Sequence, residues 1–211
     1  MKTENLVAAL VADNGSGRRW TGRMLPAALA LGGAVSLCLF IVDLGVRDDI
    51  AQAVVTWRFD LKVVLVLLAL ALAFGLCRAL SVPVIAGSAI RRLLPLGALF
   101  VFAVTIELIA TPSALWASRL VGSNSLICLT SIPMLALAPL AAILLALRSG
   151  APASPALAGA AAGLLAAAAG AALYAFHCFD DSPLFVATWY VLATIPVVAV
   201  GALAGRRLLR W

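Results

Sequence analysis

Two short stretches of this sequence hold most of the side chains that could do chemistry. His177-Cys178-Phe179-Asp180-Asp181 sets an imidazole, a thiol and two carboxylates within five residues, and Cys128 lies upstream of them. The chain has four cysteines and a single histidine. Thiol and imidazole are soft ligands that suit Cu(I), Zn or Cd, and two thiols can also be bridged by an oxidant. Cys128, Cys178, His177, Asp180 and Asp181 are therefore candidate ligands for a soft metal ion, with Glu107 as a further carboxylate. A structural disulfide or unrelated thiols stand as the plain alternative, because adjacent side chains need not aim at one ion. Cys38 and Cys77, each alone in an apolar run, read as small core side chains. Enzyme chemistry finds little support. There is no Cys-x-x-Cys pair to lower a thiol pKa, and one histidine without Gly-x-Ser-x-Gly makes no serine hydrolase. We expect no enzyme and no required cofactor; a soft metal would enter as a signal.

The elements that must position these residues are membrane helices. Of the 211 residues, 64% are hydrophobic and 11% charged, with mean hydropathy +1.13. A soluble domain is about half apolar and a quarter charged, so a soluble enzyme and a disordered chain are excluded. The net charge of +6 and pI near 9.8 do not indicate direct nucleic-acid binding, since the basic residues sit between apolar runs. The expected fold is all-α, a polytopic bundle of six transmembrane helices near 24–45, 60–79, 92–111, 125–147, 155–176 and 184–204. About 20 residues at 1.5 Å each cross about 30 Å of hydrocarbon.

Orientation follows from Lys and Arg. With the N-terminus inside, Lys2, Arg18, Arg19, Arg23, Arg78, Arg91, Arg92, Arg148, Arg206, Arg207 and Arg210 fall on the cytoplasmic side, and Arg47, Arg58, Lys62 and Arg119 outside. That bias predicts both termini in the cytoplasm. Cys128 and Cys178 then share the outer, oxidising face. Glu107 lies just inside the outer end of the third span; it either snorkels to the interface or faces the bundle as a functional acid. Short connections and Arg clusters suit a bacterial inner membrane protein.

Residues 1–23 form a candidate cytoplasmic tail, and 24–211 the six-helix domain. In the tail Leu6, Val7, Leu10 and Val11 share one helical face. They either lie on the membrane surface or dock a cytoplasmic protein. Asn14-Gly15-Ser16-Gly17 is expected to break that helix. Amphipathic stretches are expected around Ile50–Trp57 and around Leu115, Trp116 and Leu120, with the tryptophans as membrane anchors. Gly159/Gly163 and Gly201/Gly205 are small-xxx-small steps that mark tightly packed faces. Pro133 and Pro139 should kink the fourth span.

The run from Phe176 to Tyr190, FHCFDDSPLFVATWY, with CLTSIPMLALAPLAAILLAL from Cys128 to Leu147, the opening MKTENLVAALVAD and the closing GRRLLRW, resembles the NrsF-type family of six-pass membrane anti-sigma factors. The resemblance covers essentially the whole chain. It implies sequestration of an ECF sigma factor of the SigF type at the cytoplasmic face, with release on heavy-metal or oxidative thiol stress. It maps the family's two characteristic cysteines onto Cys128 and Cys178, and makes the tail and inner loops the sigma-binding surface. A small metal or solute transporter is the alternative. Against it stand the few intramembrane polar groups and the absence of repeated halves or broken-helix pairs.

Overall fold

The computed structural model describes residues 3–82 and 89–210, and for 5–22 the backbone alone. Apolar side chains cannot hydrogen-bond, and neither can the hydrocarbon of lipid, so a backbone in such a sequence satisfies itself by helix formation. Six helices are long and apolar enough to cross a membrane. We number them α1 (Thr3–Leu39), α2 (Trp57–Leu80), α3 (Leu94–Ala110), α4 (Ser125–Leu147), α5 (Pro155–Tyr174) and α6 (Val191–Leu208). No strand is present among the described residues. A π-helical turn, Phe40–Leu44, extends α1, and a second, Val186–Tyr190, leads into α6. Short helices at Ile50–Ala53 and Trp116–Val121 occupy the two stretches expected to be amphipathic.

One expectation fails in α1. Asn14-Gly15-Ser16-Gly17 does not end the helix, which runs unbroken from Thr3 to Leu39. Each such residue costs a helix at most about 1 kcal/mol, and propagation from formed turns on both sides is cheaper than a new nucleation. The side chains of Leu6, Val7, Leu10 and Val11 lie outside the described residues. Pro133 and Pro139 sit within a helix that continues past both of them.

The centre of the bundle is α5, where 12 of 20 residues are buried; in α3 it is 2 of 17. α6 lies along α5, with α4 and α2 against its other faces, and α1 packs on α4. The α5–α6 seam is made of backbone. A Cβ on Gly159 would stand 2.2 Å from the Gly201 carbonyl oxygen, and one on Gly201 would stand 2.4 Å from that of Gly159. Here the two small-xxx-small steps meet each other, as their spacing suggested. α3 has no such partner. It exposes Leu94, Val101, Phe102 and Ile109, and buries only Ala103 and Glu107.

Candidate functional site: an ionic clasp over two buried thiols

The connections α1–α2, α3–α4 and α5–α6 gather at one end of the bundle, around the loop that follows Tyr174. That loop has few hydrogen bonds of its own to make, since His177 to Ser182 carries no regular structure beyond the turn at its start. Its polar groups are satisfied by four other segments. Asp181 receives Arg47 Nη1 at 2.9 Å and the ammonium of Lys62. Both cations also donate to the Cys178 carbonyl, at 3.0 and 2.8 Å. Lys62 stands in the first turns of α2 and is 1% exposed. Its burial is tolerable because the charge is paired and hydrogen-bonded. Arg47 completes its fork on Asp49, Nε to Oδ1 at 2.6 Å and Nη2 to Oδ2 at 2.8 Å, and rests over the Phe179 ring at 4.9 Å. The Asp49 bond holds the Arg47 guanidinium charged more firmly still, and Arg47 in turn holds Asp49 below the ordinary carboxylate range.

Asp180 serves α4. Its Oδ2 accepts from the backbone N–H of Ser123 at 3.0 Å and of Asn124 at 2.8 Å, just before the helix begins. A carboxylate there also complements the helix dipole. Gly122 makes the approach possible. Its φ is +60°, and a Cβ there would lie 2.7 Å from the Asp180 carboxylate. His177 Nδ1 meets the Gly45 carbonyl oxygen at 3.1 Å. At α3, Glu107 is fully buried. Arg58 Nε donates to it at 2.8 Å, Thr111 and Ser182 hydroxyls donate at 3.2 Å, and Arg119 stands at 3.6 Å. Glu107 therefore faces the bundle, not the interface.

Beneath this clasp lie Cys128 and Cys178, both 0% exposed and both free thiols. They belong to one apolar cluster with Tyr174, Phe185 and Tyr190. Burial pushes the Cys178 thiol up, so it stays protonated at neutral pH. Its Sγ donates to the Asp180 carbonyl at 3.7 Å. Tyr190 adds a buried hydroxyl with no hydrogen-bond partner among the described residues.

Cys128 and Cys178 share one apolar cluster, while His177, Asp180, Asp181 and Glu107 are each hydrogen-bonded to other groups. Among the described residues no three His, Cys, Asp or Glu side chains are grouped to hold a metal ion. The chain's own cations and N–H groups occupy the carboxylates. Neighbours in an irregular loop point at different partners. The residues that reading the sequence missed are Arg47, Arg58, Lys62 and Arg119, seen only as topology markers. Their signal was present: four cations on the side poorer in basic residues, matched by acids on that same side.

The sequence profile described as negative regulator of sigma F (NrsF) matches residues 10–211. The Anti-sigma-F factor NrsF of Caulobacter vibrioides (strain NA1000 / CB15N) is 36% identical over 218 residues, covering 100% of both chains. The Probable anti-sigma-F factor NrsF of Azospira oryzae is 34% identical over 214 residues, again covering 100% of both. No solved structure matches. With the profile and both relatives spanning nearly every residue, this chain belongs to the NrsF family of negative regulators of sigma F, a regulatory and non-enzymatic family.

Proposed function

We propose that this protein is a membrane-bound anti-sigma-F factor that sequesters an ECF-type sigma factor at the cytoplasmic face of the bacterial inner membrane and releases it when Cys128 and Cys178, on the opposite face, meet a thiophilic metal or an oxidant. The observation that carries the reading is the placing of these two thiols, from α4 and from the α5–α6 loop, in one buried cluster capped by the clasp. Because both sulfurs are covered, the agent must first open the clasp. Capture of either thiol then opposes its closing. The agent shifts the balance only by its preference for the open state. The clasp ties the loop ends of α1, α2, α3 and α4 to the α5–α6 loop, which gives the signal a route into every helix that reaches the far side.

On the sigma-binding side the proposal assigns Leu6, Val7, Leu10 and Val11 of the helical tail. Burying four such side chains is worth roughly 6–10 kcal/mol before ordering costs, and the inner-loop arginines could meet an acidic sigma surface. The test has two arms. Leu6→Glu with Leu10→Glu should abolish sigma-factor capture in a pull-down while the protein still inserts. Cys128→Ser with Cys178→Ser should abolish the response to cadmium, copper and oxidant, while Cys38→Ser and Cys77→Ser should leave it intact. A double serine variant that responds normally would overturn the sensing role and leave the two cysteines as packing.

A further inference from the structure

At the loop end, beside the clasp, lies an open cleft of about 330 Å³. Arg58, at the start of α2, and Arg119, on the short helix Trp116–Val121, both line it. Thr56, Ser118, Asp180 and Asp181 complete most of the wall. The two signs of charge in this wall are not equally engaged. Asp181 has both oxygens on Arg47 and Lys62. Asp180 holds N–H groups of Ser123 and Asn124 through Oδ2 alone. Each guanidinium, in contrast, offers five N–H donors. Arg58 uses only Nε, on Glu107, and Arg119 makes no hydrogen bond among the described residues, only the 3.6 Å ion pair. Two cations thus share one carboxylate, and most of their N–H donors are without a partner among the described residues.

The depth of the cleft says what meets it. Trp57, whose ring lies 4.7 Å under the Arg58 guanidinium, is 44% exposed. Trp116, which opens the short helix bearing Arg119, is 40% exposed. Exposed tryptophans at the ends of membrane-spanning helices sit at headgroup level. The donors most suited to a tetrahedral anion are paired guanidiniums, which grip phosphate with two parallel bonds. At that level the abundant phosphate is that of the lipid. We propose that this cleft binds the phosphate of a phospholipid headgroup, from the leaflet at the loop end, between Arg58 and Arg119. The lipid would then share its two cations with Glu107, the residue that anchors α3.

The test uses the full-length protein in mild detergent and native mass spectrometry with added lipid. Phosphatidylglycerol should be retained and diacylglycerol, which has the same chains without phosphate, should not. This comparison needs no substitution. The R58Q/R119Q variant should weaken phosphatidylglycerol retention by about tenfold or more, R58K/R119K by less, and R148Q, distant in the sequence and outside the cleft, not at all. Equal retention of diacylglycerol, or unchanged retention by a folded R58Q/R119Q variant, would overturn the site. Displacement of the lipid by millimolar inorganic phosphate would overturn the lipid assignment in favour of a free anion.

Discussion

The α5–α6 seam and the ionic clasp both hold this bundle together, by opposite means. The seam contains no charge. Its contacts run from the α-carbons and carbonyls of Gly159 and Gly163 to those of Gly201 and Gly205, so it is specified by the absence of side chains. The clasp is specified by charged side chains: Arg47, Lys62 and Asp181 join segments more than a hundred residues apart through a few directed bonds. Close packing is short-ranged and has nothing to titrate. An ion pair at a helix end can be opened by a proton, a competing ion or a lost partner. The permanent joint is thus at the centre and the breakable one at the rim. α3 is the helix this matters to most, since it has little packing and is fixed at its loop end by Glu107.

Charge should break the clasp and bulk should break the seam. Asp181→Ala leaves two buried cations facing each other, and removing one partner of such a set costs about 3–5 kcal/mol. The expected result is a large fall in melting temperature, with Cys178 newly open to maleimide; a fall without labelling would mean the clasp does not cover the thiol. Gly159→Val or Gly201→Val forces an isopropyl group into a facing backbone, and overpacking costs about 1–3 kcal/mol or more where backbone must yield. Raising the salt concentration should leave that loss unchanged, while it should narrow the Asp181→Ala defect, because screening weakens both the wild-type ion pairs and the repulsion between the two bared cations. On α1, Gly32→Ala should destabilise, because its Cβ would lie 2.5 Å from Pro139 Cα. Gly33→Ala, with nothing within 4 Å, should be neutral or stabilise by up to about 1 kcal/mol through helix propensity; parallel melts compare the two. Arg119→Gln removes a half-open, long ion pair and should cost under about 1 kcal/mol. The smallest effect concerns Asp49. Its pKa is lower folded than unfolded, so its contribution is complete above the unfolded value of about 3.9 and is lost as pH falls below that through the depressed folded value. An acid titration of melting temperature for Asp49→Asn should lack that component.

The spans were legible because hydropathy over 20 residues is a sum that no single substitution changes. The glycine seam was legible because a four-residue spacing is a local fact. The run across Asn14–Gly17 was not, since breaker residues set a cost and not an outcome. The clasp was hardest to read. Arg47 and Asp181 stand 134 residues apart, and nothing near either one names the other. The partners of the candidate ligands were hidden for the same reason: proximity of His177, Cys178, Asp180 and Asp181 in sequence says nothing of the groups that reach them from other segments. What the sequence did carry was Lys62, an ammonium next to a long apolar run with no basic neighbour nearer than Arg58.

The uninterrupted α1 has a mechanical side. Its 37 residues are about 55 Å long at 1.5 Å each, against about 30 Å of hydrocarbon. Its fulcrum is the Gly32–Pro139 contact with α4, strengthened by the Ser36 hydroxyl on the Leu135 carbonyl at 2.6 Å. From Gly32 to Thr3 the arm measures about 44 Å, so a tilt of about 5° swings its tip by roughly 4 Å. A flexible tether would absorb such a tilt. A continuous helix passes it on, softened where Pro26 removes one backbone donor within the arm, and a partner held near Thr3 would feel a displacement larger than any made at the pivot.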